Sequence, residues 1–501
     1  MLGTAGESRG TGATVEIAPR QGEGKTVIKL AMFAFACFAS AIVMTGGALA
    51  TEPVEAMVTG WVAAIDDAPG WTATYGDLIY DPATDTALLS GLEIESVPGG
   101  IVIAFEPISI VGYAEQIDGT FSATSVTTNS ANITANTAEI TASDIRLDNL
   151  GILTNDANGR FPSDPQHPFT SLMRIYALVT SISLKHGGIG SISINSMARG
   201  ETALTTYKGI SVDDWAEGKV ASMTAGTVTI ESETPDGPIK VSIGGAEARD
   251  MDFAAIMRVL DPSQYAEGVG DGIWHSALGF AGYNDLAVDG PDAKVTIASI
   301  SAENFMVRQP VRSIAGYFDK IMLDPDAGED LTPEEMRDIV GFLSAFSIGR
   351  LAVRGIDVDA EDGGQGHLGG MTFSDFSAEG LGEFSLDDID ANAEDAGFAK
   401  IGRIAVGDIV FPDLERVIDA TEAWEAGEEL DYGSLAFELG AFKLGFIEVL
   451  GIDVETPEVP HYQLGKFRLD LANYVGPIPT LITLKIAGLD VPAMVTPDAA
   501  M

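Results

Sequence analysis

The sequence predicts an α+β fold that is predominantly β: curved, bulged antiparallel sheet with several interspersed amphipathic helices. Three observations carry that expectation. Short alternating apolar runs are punctuated by Gly, Pro, Asn and Asp, as in strands and turns. An eight-residue unit, apolar-x-apolar-x-x-apolar-x-apolar, recurs along the chain. A few isolated stretches repeat their apolar residues at helical spacing. The chain has 501 residues, 46% of them hydrophobic and 57 of them Gly. A core of any ordinary size fits, and a turn-rich β protein matches that composition.

Residues 1–50 read as leader and secretory signal. The run "LAMFAFACFASAIVMTGGALA" at 30–50 follows Lys25 and Lys29 and ends Ala48-Leu49-Ala50, which places cleavage before Thr51. The alternative is an uncleaved anchor, because the run is nearly long enough to span a bilayer. Periplasmic or secreted material is the expectation in the first case. In the second, residues 30–50 hold the chain at the inner membrane, facing the periplasm. Cys37, the one cysteine, lies in this run and is followed by apolar residues, so lipidation and disulfides are not expected.

Region 51–165 reads as β-rich from its first residues, with strands across "YGDLIYDPATDTALLSGLEIES" at 75–96. Ile133 and Ile140, seven apart, suggest a thin ladder. Region 166–346 is β with helical insertions. Phe169, Leu172, Met173, Tyr176 and Val179 share one helical face, as do Phe253, Ile256, Met257 and Leu260. A third helix starts at Thr332 as N-cap, with Pro333 behind it and Glu335 closing a capping box. Its apolar face is Met336, Ile339, Val340, Leu343 and Phe346. Region 347–501 holds the repeated strands and one helix after Pro412, with Leu414, Val417, Ile418, Thr421 and Trp424 on one side.

The repeated unit supplies the candidate apolar face: Leu351, Val353, Ile356 and Val358; Ile404, Val406, Ile409 and Phe411; Leu484, Ile486, Leu489 and Val491. Further copies start at Ala87, Ile192, Val295, Phe384 and Ile447. A plain strand alternates faces, so the extra residue in the middle would send the second half to the wrong side. A β-bulge absorbs it, keeps all four apolar residues on one face and bends the strand. The alternate residue Ala405 is then expected on the exposed side. Two short strands joined by a turn are the competing reading, with arms too short to be stable. A Gly often stands two residues ahead of an apolar position, as at Gly349, Gly382, Gly402, Gly440 and Gly465.

The net charge of −46 and pI near 4.1 exclude nucleic acid as a partner and electrostatic docking on anionic lipid. No catalytic motif survives inspection. "QGEGKT" at 21–26 lacks the first Gly of a phosphate loop, and "GVGDGIWH" at 268–275 is not a dinucleotide fingerprint. His167, His186, His275, His367 and His461 are not spaced as zinc ligands. "DVDAEDGGQG" at 357–366 begins like a calcium loop, but Asp362 and Leu368 stand where Gly and Glu are needed. No catalytic residue, metal site or cofactor is expected.

In "RIAVGDIVF", "LKIAGLDVP" and the 75–96 opening, together with the N-terminal apolar segment, the chain resembles AsmA-like and YdgA-like bacterial envelope proteins. The resemblance implies an elongated, curved β-structure in the periplasm and, for some relatives, a hydrophobic groove that handles lipid. The first expectation is therefore a non-enzymatic envelope protein that binds or shields a lipid or other hydrophobic ligand. The second is a structural or interaction module with a filled core and no ligand. An enzyme, such as an envelope hydrolase, is the reading the residues favour least. An envelope protein partner remains open.

Overall fold

A computed structural model describes the chain between residues 54 and 490, apart from short stretches of which 63–70, 154–165, 174–179, 325–330 and 427–441 are the longest. Residues 1–50, where a leader was expected, with Cys37, and Val491 lie outside the described residues, as do Leu172, Tyr176 and Val179 of the first expected helix. Among the described residues no helix is long and apolar enough to cross a membrane.

Alternating apolar and small polar residues build one antiparallel sheet of 24 strands. It opens with β1 (Trp71–Thr74), β2 (Asp77–Asp81), β3 (Thr86–Ser90), β4 (Glu93–Ser96), β5 (Ile101–Phe105), β6 (Ile108–Val111) and β7 (Ala114–Glu115). These are pieces of longer rungs, since β1–β4 and β2–β3 share one register and β4–β5 and β3–β6 share another. Unbroken rungs follow: β8 (Thr120–Ala135), β9 (Ala138–Leu153), β10 (Leu184–Ala198) and β11 (Glu201–Ala216). Two split rungs come next, β12 (Lys219–Ala225) with β13 (Thr227–Thr234), and β14 (Gly237–Ile243) with β15 (Gly245–Asp252). The sheet continues through β16 (Trp274–Asp289), β17 (Ala293–Arg308), β18 (Phe346–Ala360), β19 (Gln365–Ser377) and β20 (Gly380–Ala393). It closes with β21 (Gly397–Val410), β22 (Phe446–Glu455), β23 (Tyr462–Val475) and β24 (Ile478–Asp490). Each rung pairs with the rung before and after it in sequence, so the sheet is a meander with β1 and β2 at one edge and β24 at the other. Ile133 and Ile140 are direct cross-strand partners in its β8–β9 hairpin.

The mid-strand break is real, but it is not a one-sided insertion. Where β20 meets β21, Leu381 pairs Ile409 and Glu383 pairs Gly407, so Gly382 and Asp408 drop out together and the register is unchanged. The same holds for Asp388 with Gly402 in that hairpin, and for Gly465 with Gly488 in the last. A register-shifting bulge occurs in β16, where Ala277 is the extra residue. At each paired break one residue has positive φ, as at Asp144, Gly209, Asp285, Asn304, Gly355, Asp375, Asp388, Asp408, Gly451, Asn473 and Gly488. Gly, Asn and Asp occupy these positions because other side chains pay for the left-handed conformation. The residue opposite is usually Gly: a Cβ at Gly349 would lie 2.9 Å from Asn304 Cβ, and one at Gly369 2.8 Å from Asp388 Cβ.

That pairing explains the glycines ahead of the repeated units. Gly349, Gly382, Gly402 and Gly465 are the clearances for left-handed residues on the neighbouring strand; Gly440 lies outside the described residues. From β16 to β22 the left-handed residue and the clearance stand six apart on each strand, and on β23 and β24 eight apart. Neighbours of equal spacing therefore match both breaks at once; β22 and β23 match only at Gly451 and Gly465, so one crease runs through to β24 and the other is offset there.

Helices pack beside the strands. The opening stretch, expected as strands, is helical at Val54, Val58 and Val62, which are all buried. Their four-residue spacing was the available signal. In α1 (Phe253–Leu260) the buried residues are Ala255 and Val259, against Ala277, Val307 and Ala345. The expected stripe was thus one position off, and of its members Ile256 alone packs on that cluster. Helix α2 (Ala315–Leu323) was not anticipated; its Asp319 is buried and accepts from the backbone of Phe169 and Thr170. Helix α3 (Pro333–Leu343) has the expected capping box between Thr332 and Glu335, but Leu343 is exposed and Phe346 belongs to β18. Arg337 ties α3 to α4 (Leu414–Glu425) through Asp419. In α4, Ile418 is buried and Leu414 exposed.

Lys320 beside Glu335, together with the Thr332 cap, holds that carboxyl at about 2, against an ordinary 4.5. A depressed carboxyl stabilises the fold above its unfolded value and loses that contribution as pH falls from about 4.5 toward about 2. Glu335→Gln is therefore expected to flatten the acid limb of a Tm-against-pH curve over that window. An unchanged limb would show that the cap does not couple to folding.

Candidate functional site

The repeated units assemble into rows that cross the sheet from strand to strand. One row runs Leu351, Phe373, Phe384, Val406, Ile447, Leu469, Leu484, each directly opposite the next. A second runs Val353, Met371, Leu386, Ile404, Val449, Phe467, Ile486. A third runs Ile356, Leu368, Ile389, Ile401, Ile452, Leu464, Leu489. Directly opposed residues project to the same face, so β18 to β24 present an uninterrupted apolar surface.

The crease lies between the second and third rows, and the left-handed residue restores the face. In β9 the buried apolar side chains are those of Ile140, Ile145, Leu147 and Leu150. Their parity changes at Asp144 and again at Asn149, the residues with positive φ. Simple alternation would have exposed half of them.

Of the candidate residues, Leu351, Val353, Ile356, Ile404, Val406, Leu484, Ile486 and Leu489 belong to these rows. Val358 sits in an outer row opposite Val295 and Gly366. Ile409 and Phe411 do not join them: Ile409 lies across the other crease opposite Leu381, and Phe411 is past the end of β21, its ring 6.3 Å from that of Phe376. The reason is strand direction. On β21 the unit must be read backwards, as Ile401-x-x-Ile404-x-Val406, and "RIAVGDIVF" straddles a different break. Reading both directions would also have found Leu368, Met371 and Phe373 on β19, and Leu464, Phe467 and Leu469 on β23.

Burial of the apolar face changes along the sheet. Near its start Ile94 and Ile194 are 3% and 2% exposed. Through β18 to β23 the row residues are half-buried. On β24, Leu484, Ile486 and Leu489 reach 56%, 54% and 54%.

The opposite face is polar, with small residues buried beneath long charged side chains. Ala405 is 0% exposed rather than solvent-facing, and Ser385 and Ala352 are buried with it. Long side chains form an ion ladder on this side. Arg403 reaches Glu383 at 2.6 Å, Arg468 and Lys466 both reach Glu448 at 3.1 Å, and Lys485 reaches Asp470 at 2.9 Å. Burial pushes the Glu448 carboxyl up, but the hydrogen bonds from Arg468 and Lys466 outweigh it and leave a net lowering. Lys485 and then Arg468 hold Asp470 low. Arg468 also stacks on Phe446, 4.3 Å from the ring centre.

Histidines here serve cross-strand pairs. His186 lies 2.6 Å from Asp213, His367 2.6 Å from Asp357, and His461 2.6 Å from Asp453. Asp357 of the calcium-like loop is thereby engaged. Among the described residues no group of His, Cys, Asp or Glu is arranged to hold a metal ion. No family model matches the chain, and no curated protein matches it.

Proposed function

We propose that this is an exported, non-enzymatic bacterial envelope protein whose apolar sheet face binds or shields a lipid or other hydrophobic ligand. The observation that carries the reading is the contrast within one sheet. The apolar face is a filled core around β3 to β10, yet from β18 to β23 three rows of large aliphatic and aromatic residues are only partly buried, and on β24 they are more than half exposed. Continuous apolar surface of that extent is rare on a protein that keeps it in water. An acyl chain lying along the rows would remove it, at about 25 cal/mol for each Å² covered. Such binding calls for a curved sheet with its apolar side concave, as the resemblance implies. This agrees with the resemblance to AsmA-like envelope proteins and with export to the periplasm or beyond, whether the leader is cleaved or anchors the chain.

Native mass spectrometry of the full chain purified in mild detergent is the direct test. Lipid-sized adducts are expected, together with a rise in Tm on adding phospholipid. A chain that carries no lipid and whose Tm ignores added phospholipid would support the filled-core module instead.

A further inference from the structure

We propose that β24 is a self-complementary edge through which two copies of this chain join into one continuous sheet. β24 pairs with β23 on one side and, among the described residues, with no strand on the other. An open edge this long usually carries charge or proline to discourage pairing. Here Pro479 sits at the start, and Lys485 is drawn back onto Asp470 of β23, while Ile482, Leu484 and Ile486 stand more than half exposed.

The occupant follows from the creases. From β16 to β22, and again between β23 and β24, each strand's clearance faces its neighbour's left-handed residue and its own left-handed residue faces the neighbour's clearance; β22 and β23 share one such match. β24 has its left-handed residue at Gly488 and its clearance position at Thr480. Both are used against β23, where Thr480 meets Asn473 and Gly488 meets Gly465, and a strand added on the free side meets the same two positions. A second β24, run antiparallel about an axis through Leu484, supplies the match: Gly488 of each copy faces Thr480 of the other. The same register puts Leu484 against Leu484, Ile486 against Ile482 and Lys485 against Thr483, with no like charges opposed. The β1–β2 edge offers only the clearance Gly76 and no left-handed residue within the strands for Thr480. A closed two-fold dimer is therefore favoured over a head-to-tail chain.

The test uses the full chain in a Cys37→Ser background. Sedimentation velocity is expected to show a concentration-dependent dimer. Leu484→Lys places like charges on the axis and is expected to weaken it roughly tenfold or more. Under mild oxidation Leu484→Cys is expected to link two chains, because directly opposed strand residues lie within disulfide reach. Ile486→Cys, displaced four residues from its own copy, is expected not to link. Cross-linking reports the register even if one variant folds poorly. A monomer at every concentration, equal linking at both cysteines, open-ended oligomers, or a dimer seen only after removal of residues 491–501 would each overturn the proposal.

Discussion

Gly369→Val is expected to destabilise the chain by about 3 kcal/mol, the upper end for forcing atoms into a packed site. The Cβ would stand 2.8 Å from Asp388 Cβ and 3.3 Å from the Asp387 carbonyl oxygen, neither of which is the free end of a flexible side chain. Asp388→Gly is the informative partner. It removes the obstructing Cβ and relieves the left-handed φ of 54°, so alone it should change stability by no more than about 1 kcal/mol. Combined, the two substitutions should recover much of the loss, because crowded neighbours show coupling on the order of 0.5–3 kcal/mol. Urea melts of the four chains measure this cycle. Strict additivity would mean that clearance for the left-handed residue is not why Gly stands at these positions.

The cycle bears on what the sequence made legible. Strands, repeated units and a phase break in each unit could be read directly, because side-chain parity is visible in one dimension. Much of the face was legible: of the eleven candidate residues that are described, eight fall in the three long rows. Ile401 and Phe467 were missed because alternate strands run the other way and present the unit reversed. The partner of each break was hidden for a deeper reason. Asp408 and its clearance Gly445 are separated by α4, and nothing local ties them together. Ala405 was placed on the open side because the larger residues beside it read as core. In the fold, small residues lie buried under the Arg403 and Arg468 ladder while the large ones line the half-open face. Size marked the apolar side correctly but not that small residues on the other side would be covered by long charged ones.

That inversion sets up the last expectation. Val353→Asp should abolish lipid retention while lowering Tm modestly, whereas Ile140→Asp should leave the chain unable to fold. The substitutions are chemically alike and both fall on strands of the same sheet. Ile140 is 3% exposed, between Ile133 and Ile194. A carboxylate there loses a buried aliphatic group and is left as an unpaired charge in an apolar interior, a combined cost of several kcal/mol that rivals the stability of a whole domain. Val353 is half-buried between Ile300 and Met371, so water reaches a carboxylate there when no ligand is present. An acyl chain laid along the row removes that water, and the desolvation cost falls on binding instead of folding. Paired measurements of Tm and bound lipid therefore separate the two roles of one apolar face. If Val353→Asp also prevents folding, the rows of β18 to β24 are filled core, and the lipid reading loses the contrast on which it rests.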